Sequence, residues 1–358
     1  MQTVTPADLG HILEHTRNLW EELRGEQLFI TGGTGFFGCW LLESFLWAND
    51  HLKLGASATI LSRYPEKFTA RMPHLANNPA IRLIEGDVCD FKFPDGEYGY
   101  VIHAATEAST QLNKNDPHRM FNTIVDGTRR TIDFASTHGT KKFLLTSSGA
   151  VYGRQPPELS HIPEDYQGAP DPLDPLSAYG EGKRAAEMLC ALAAQKNGLE
   201  MKIARCFAFV GPHLPLDAHF AIGNFIRDAL HGGPIVVKGD GSPFRSYLYA
   251  SDLAIWLWTI LFNGKNCRAY NVGSDKIISI VELANLIANN SLGIIEVNLG
   301  KEPLPGVLPE RYVPSVERAK AELKLNELID LNNAILNTEK WLVKNKIIAH
   351  SIFGRFPR

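Results

Sequence analysis

Three groups of residues in this chain have types and spacings that could do chemistry. In "SAYGEGKRAAE", Tyr179 and Lys183 stand four apart, so a helix here projects both from one face. A phenol, with an ordinary pKa of about 10, is a poor base at neutral pH. A neighbouring ammonium and a cationic nicotinamide would favour the phenolate and lower that value. Of the ten tyrosines, only Tyr179 has a lysine four residues later. Upstream, "TSSGAVYG" (146–153) offers the hydroxyls of Ser147 and Ser148 at the end of a strand, and no carboxylate. The third group is "FITGGTGFFG", which sets Gly32, Gly35 and Gly38 between a strand and a helix.

A dinucleotide explains the third group. The first glycine permits a tight turn, bare backbone lets a pyrophosphate approach, and the helix N-terminus supplies amide donors and a positive dipole end. Contacts are expected from Gly32, Gly35, Phe36, Phe37 and Gly38. The next strand ends in Ser62-Arg63 and lacks the acid that would bind the ribose 2′-hydroxyl of NAD. Arginine accommodates a 2′-phosphate, so the cofactor is NAD or NADP, with Arg63 leaning toward NADP. Asp87, beside Val88, could bind the adenine amine or cap the following turn. Ala104 and Ala105, ending "YVIHAA", complete the expected cofactor wall.

"LFIT" (28–31), "ATILS" (58–62), "IRLIEGD" (81–87), "YVIHAA" (100–105) and "KFLLTSS" (142–148) read as strands. Amphipathic stretches such as Phe37–Trp47 and Asn122–Thr137 lie between several of them, which predicts a parallel sheet covered on both faces by helices. A proline-dense loop then precedes a helix starting near Ser177. At the N-terminus, Thr5, Pro6 and Asp8 have the spacing of a helix cap. Leu9, Ile12, Leu13, Thr16, Leu19, Trp20 and Leu23 follow at helical period, expected to pack on the main body or on a partner subunit.

Composition narrows the rest. With 358 residues, 44% hydrophobic and 21% charged, the chain is ordinary globular protein. A net charge of −3 argues against a nucleic-acid binder. The apolar run Leu253–Phe262 is too short to span a bilayer, and "MQTVTPADLG" lacks the form of a secretion signal. Five scattered cysteines without a CxxC pair read as reduced thiols of a cytoplasmic protein, with no metal site.

Taken together, "TGGTGFFG", "VIHAA", "SSGAVYG" and "YGEGK" resemble the extended short-chain dehydrogenase/reductase family that acts on nucleotide sugars, over about residues 27–325. The resemblance implies an α/β fold: a Rossmann-type, doubly wound parallel sheet with a smaller C-terminal α/β substrate-binding region. The expected division is a helical extension over 1–25, a dinucleotide-binding domain over 26–213 and 238–276, and a nucleotide-sugar region over 214–237 and 277–358. A homodimer built on a helical bundle is also implied. By the same resemblance Tyr179 is the general acid/base, and Lys183 holds the nicotinamide ribose and tunes Tyr179. Ser148, or Ser147, bonds the reacting sugar oxygen. Asn122 supports the active-site helix, Arg245 and Arg311 meet the nucleotide diphosphate, and Asn224 and Glu107 line the substrate pocket.

Departures from the family pattern bear on the reaction. An asparagine expected in "RCFAF" is Ala208, and the aspartate of the later "R…D" pattern is replaced by Ser315 or Pro314. A 4,6-dehydratase or sugar decarboxylase usually carries an acid directly before "VYG"; here stand Gly149 and Ala150, which cannot transfer a proton. Glu107 could stand in. The chemistry expected is therefore C4 epimerisation through a transient 4-keto sugar. An NADPH-dependent 4-keto-sugar reductase is second, a dehydratase third, and a cofactor-binding scaffold without activity is disfavoured because every catalytic residue type is present.

Overall fold

In the computed structural model, which describes residues 3–106, 110–218, 220–291, 293–302 and 306–345, the apolar runs become a seven-stranded sheet. Its strands are β1 (Gln27–Thr31), β2 (Ser57–Ser62), β3 (Ile81–Glu85), β4 (Tyr100–His103), β5 (Lys142–Ser148), β6 (Glu200–Cys206) and the strand Arg268–Val272. Every neighbouring pair is parallel. The spatial order is Arg268–Val272, β6, β5, β4, β1, β2, β3. Helices on both faces explain why β4 is buried at all four positions and reads as a continuous apolar run. The winding reverses between β1 and β4, and a ligand crevice is expected beyond the carboxyl ends of strands at such a switch point.

The helices that matter here are α1 (Pro6–Thr16), α2 (Phe36–Leu52), α3 (Pro65–Arg71), α4 (Pro73–Ala76), α5 (Thr110–Asn115), α6 (Pro117–Thr137) and α7 (Ala178–Asn197). The N-terminal periodicity is split between α1 and a 3-10 stretch, Arg17–Leu23. Thr5 Oγ1 accepts the Asp8 amide at 3.1 Å and donates to the Asp8 carboxylate at 2.6 Å. Asp8 thus meets the cap hydroxyl and leaves the cap backbone alone, so the capping box is only half made. The extension packs on its own chain. Trp20 is fully buried, its ring centroid is 4.7 Å from that of Trp258, and its Nε1 donates to Thr16 Oγ1 at 2.9 Å.

Trp258 belongs to the helix Ala250–Asn263, which is buried from Ala250 to Phe262. The apolar run 253–262 is thus a core helix between the sheet and the N-terminal extension. Among the described residues no helix is long and apolar enough to cross a membrane.

A small sheet beyond the main one carries the substrate-side residues. Phe244–Arg245 pairs antiparallel with Ile278–Ser279 and parallel with Arg311–Tyr312. The strand Phe244–Arg245 lies within 238–276, yet it pairs with strands from 277–358. The proline-dense loop is tied to the same region: Ile162 N donates to Val313 O, and Ser315 N donates to Ile162 O, both at 2.9 Å.

Trp20→Ala removes a fully enclosed indole and should cost about 3–5 kcal/mol of stability. Urea unfolding would measure it, and a loss under about 1 kcal/mol would show that the extension is not part of the core.

Candidate active site

Tyr179 lies in the first turn of α7 and Lys183 one turn on. The start of α7 is held by Asn113 on α5, whose Oδ1 accepts the Tyr179 amide at 3.1 Å and whose Nδ2 donates to Leu176 O at 2.7 Å. The support expected from Asn122 therefore comes from Asn113. Asn122 Nδ2 instead lies 3.4 Å from His118 Nδ1, one turn back on its own helix α6. An asparagine far from any motif gave no sequence signal for this role.

Lys183 is a buried cation. Its Nζ donates to Thr106 Oγ1 and to Thr146 O, each at 2.8 Å, and sits 5.9 Å from the centroid of the Tyr179 ring. Burial pushes its pKa down to about 8, because desolvation disfavours the charged form. Burial also pushes the Tyr179 phenol up, while its hydrogen bond with Ser148 pulls it down. Phenolate formation thus depends on donors and positive charge brought to the ring oxygen.

The two serines separate because adjacent strand residues point to opposite faces. Ser147 Oγ donates to Glu187 Oε1 at 2.5 Å, and Glu187 is ion-paired to Arg205 at 2.7 Å. Ser147 thus faces a polar network behind α7, away from the phenol. Ser148 faces Tyr179 and accepts the Ala150 amide at 3.2 Å.

On the cofactor side, Gly32 has φ +73°, and a Cβ there would fall on the Ala104–Ala105 peptide. A Cβ at Gly38 would fall on the Gly33 backbone, so α2 closes on its own loop. Gly35 caps α2 without a side-chain hydrogen bond, leaving the first amides as anion donors. This cradle fits a dinucleotide pyrophosphate. Phe36 and Phe37 are half-buried, Phe37 edge-on to Phe209 at 5.2 Å.

Ala104 and Ala105 donate their amides to Thr31 O at 3.1 Å and Thr31 Oγ1 at 3.2 Å. His103 beneath them bonds Thr31 Oγ1 at 2.7 Å and is held neutral by burial, near 3. Ser62 Oγ accepts the Tyr64 amide at 3.2 Å. Arg63 is exposed beside the Tyr64 ring. Arg71, whose one mark in the sequence is its helical spacing from Arg63 and Lys67, donates to the Thr34 carbonyl in the glycine loop. Asp87 Oδ1 accepts the Cys89 amide at 3.0 Å, the turn-capping alternative, and Val88 packs against Gly127.

Substrate-side placements are less convergent. Glu107 lies outside the described residues. Asn224, in the helix Ala221–Leu230, donates from Nδ2 to Ala218 O and Phe220 O at 2.7 and 2.8 Å, in the segment just before that helix. Arg245 and Arg311 do not meet as a pair. Strand register sets Tyr312 opposite Arg245, and Arg311 opposite Phe244, and cross-strand neighbours share a face. Arg311 accordingly lies over the Phe244 ring at 4.6 Å, its Nε buried without an acceptor among the described residues. Arg245 donates to Phe244 O at 2.8 Å and lies 3.9 Å from Glu310. Tyr312, also unforeseen, places its Oη 3.5 Å from Ser148 Oγ. A Cβ at Gly149 would meet Phe207 Cζ at 2.6 Å and Tyr312 Oη at 2.8 Å.

The sheet order and the switch-point glycine loop define a Rossmann-type short-chain dehydrogenase/reductase of the extended group. The chain belongs to the NAD dependent epimerase/dehydratase family, whose sequence pattern matches residues 28–273. It is 30% identical over 315 residues to UDP-glucuronic acid decarboxylase 1 of Arabidopsis thaliana, covering 86% of this chain and 68% of the relative. With decarboxylase 6 of the same plant it shares 27% over 333 residues, covering 93% and 92%. A UDP-glucuronic acid 4-epimerase from Bacillus cereus, solved with UDP-glucuronic acid and NAD, has a TM-score of 0.74 at 20% identity over 89% of this chain and 99% of that one. A dTDP-glucose 4,6-dehydratase from Streptomyces venezuelae also gives 0.74 at 20% identity, over 89% and 98%. These solved structures share the fold, and the NAD-dependent family agrees with the glycine cradle.

Ser147→Ala removes a donor to the Glu187 carboxylate and should cost about 1–3 kcal/mol of stability. Ser148→Ala should stay within about 1 kcal/mol in the same denaturation experiment; equal losses would show that both serines are structural.

Proposed function

We propose that this chain is an NAD(P)-dependent nucleotide-sugar epimerase acting at C4 through a transient 4-keto sugar, with Tyr179 as acid/base. The observation that carries the reading is that Gly149 and Ala150, the two positions directly before "VYG", carry no acid. Tyr179 and Ser148 face one another, while Phe207 and Tyr312 occupy the volume a side chain at 149 would need. Hydride exchange at one carbon requires no second acid there, whereas elimination does. The relatives named for UDP-sugars support a nucleotide diphosphate sugar, and UDP in particular, as the substrate class.

In this reading the glycine loop and the α2 N-terminus hold the pyrophosphate, with Asp87 toward the adenine and Lys183 toward the nicotinamide ribose. Bound there, the nicotinamide supplies hydride acceptance and return. Tyr179 takes the proton from the sugar hydroxyl as the carbonyl forms and gives it back on reduction. Ser148 donates to the same oxygen, and Arg245, cross-strand from Tyr312, is the arginine proposed for the diphosphate. The runner-up is an NADPH-dependent keto-sugar reductase, favoured by Arg63 at the end of β2.

Purified protein incubated with nucleotide sugars decides between them. A C4 epimer formed without added cofactor is expected, and Tyr179→Phe should lower kcat about a hundredfold or more. Turnover of a 4-keto sugar alone, with NADPH, would establish the reductase. A 4-keto-6-deoxy product, or a pentose with carbon dioxide, would overturn both.

Arg63→Ala is expected to weaken NADP binding about tenfold while sparing NAD, read by fluorescence titration. A parallel loss for both dinucleotides would remove Arg63 from cofactor choice.

A further inference from the structure

Ser148 Oγ has one proton and two lone pairs. One lone pair is taken by the Ala150 amide at 3.2 Å. Two phenols face what remains: Tyr179, hydrogen-bonded from α7, and Tyr312, whose Oη reaches to 3.5 Å from the strand Arg311–Tyr312. When Tyr179 acts as a base it is a phenolate, which accepts and cannot donate. Ser148 then gives its proton to Tyr179, or to the sugar oxygen that Tyr179 serves. Its second lone pair still needs a donor, and the phenol left to supply one is Tyr312.

We propose that Tyr312 is a positioning residue for the acid–base pair: its hydroxyl donates to Ser148 Oγ and so aims the serine proton at Tyr179 and the reacting sugar oxygen. The inference rests on the reading of Tyr179 and Ser148 given above. Tyr312 keeps its own proton throughout; the proton leaving the sugar hydroxyl goes to Tyr179. A hydroxyl that accepts a hydrogen bond becomes a better donor, so this contact strengthens the serine toward developing negative charge. Burial pushes the Tyr312 phenol well above its ordinary range, which keeps it a donor.

The surroundings hold Tyr312 in this role. Its ring lies 4.6 Å from Phe207 with an interplanar angle of 36°. The next residue, Val313, donates its amide to Gln155 Oε1 at 2.9 Å, and Ser315 is bound to Ile162. A separation of 3.5 Å is long for two hydroxyls, but catalytic hydrogen bonds often tighten only when substrate binds.

The test follows ionisation of Tyr179 in the NAD-loaded protein by phenolate absorbance, as the difference from the matching Tyr179→Phe protein. The other groups around this pair are the Cys206 thiol on β6, which acts on both phenols, Arg245, which acts on Tyr312, and Lys183 on α7, 5.9 Å from the Tyr179 ring centroid; Glu187 lies behind, paired with Arg205. Tyr312→Phe keeps the ring against Phe207 and removes only the hydroxyl. Ser148 then donates less strongly to the phenolate, so ionisation should move upward by about half a unit. In a Ser148→Ala background the same substitution should move it no further.

With substrate, kcat should fall about three- to tenfold while KM stays within about twofold. An unchanged ionisation overturns the proposal, as does an equal shift in the Ser148→Ala background. The titration needs no sugar. Protein that turns over no nucleotide sugar would therefore sink the epimerase reading while leaving the role of Tyr312 decided.

Discussion

The catalytic side of this molecule depends on one buried cation. Lys183 gives up water to lie under the sheet's carboxyl edge, and among the described residues two acceptors compensate it, Thr106 Oγ1 beyond β4 and Thr146 O within β5. An unpaired ammonium at that depth would cost several kcal/mol. Those contacts therefore lock α7 to two strands, and Tyr179, one turn earlier, is placed as a consequence. Asn113 fixes the other end of the same turn through backbone groups. The phenol is thus delivered by the requirement to satisfy a neighbouring charge.

A second constraint ties the small substrate-side sheet to this arrangement. Arg205 on β6 bonds Glu187, the Tyr152 hydroxyl and Glu164 O. Tyr152 continues to Asn271 Oδ1 at 2.7 Å, and Asn271 Nδ2 donates to Ile162 O and Ser315 O. Buried polar networks of this kind are stable only when every member is satisfied. This one runs from the strand that carries Ser147 to the segment just after Tyr312. The distance between Ser148 and Tyr312 is thus held by covalent neighbours that share one network.

That geometry gives meaning to a small residue. Gly149 is not an empty space awaiting an acid, because Phe207, just past the end of β6, and Tyr312, on the strand Arg311–Tyr312, fill it. The curated relatives at about 30% identity carry decarboxylase names, and the solved structures of similar fold include an epimerase and a dehydratase. Their shared scaffold leaves the reaction to the few side chains around the sugar, as expected when function resides in sites carried by common folds.

Local pattern alone determined the parallel sheet, the glycine cradle and the Tyr179–Lys183 pair, since strand alternation, positive φ and a four-residue helical spacing are properties of neighbouring residues. It also identified the absence of an acid before "VYG". What only the tertiary structure decided were contacts between residues far apart in the chain. Asn113 took the supporting role expected of Asn122, because α5 lies against the start of α7. Strand alternation turned Ser147 toward Glu187 and left Ser148 for the phenol. Strand register set Tyr312 opposite Arg245 and Arg311 opposite Phe244. Register and long-range packing are set by the burial of whole surfaces, so no local spacing could have announced the second phenol at Ser148.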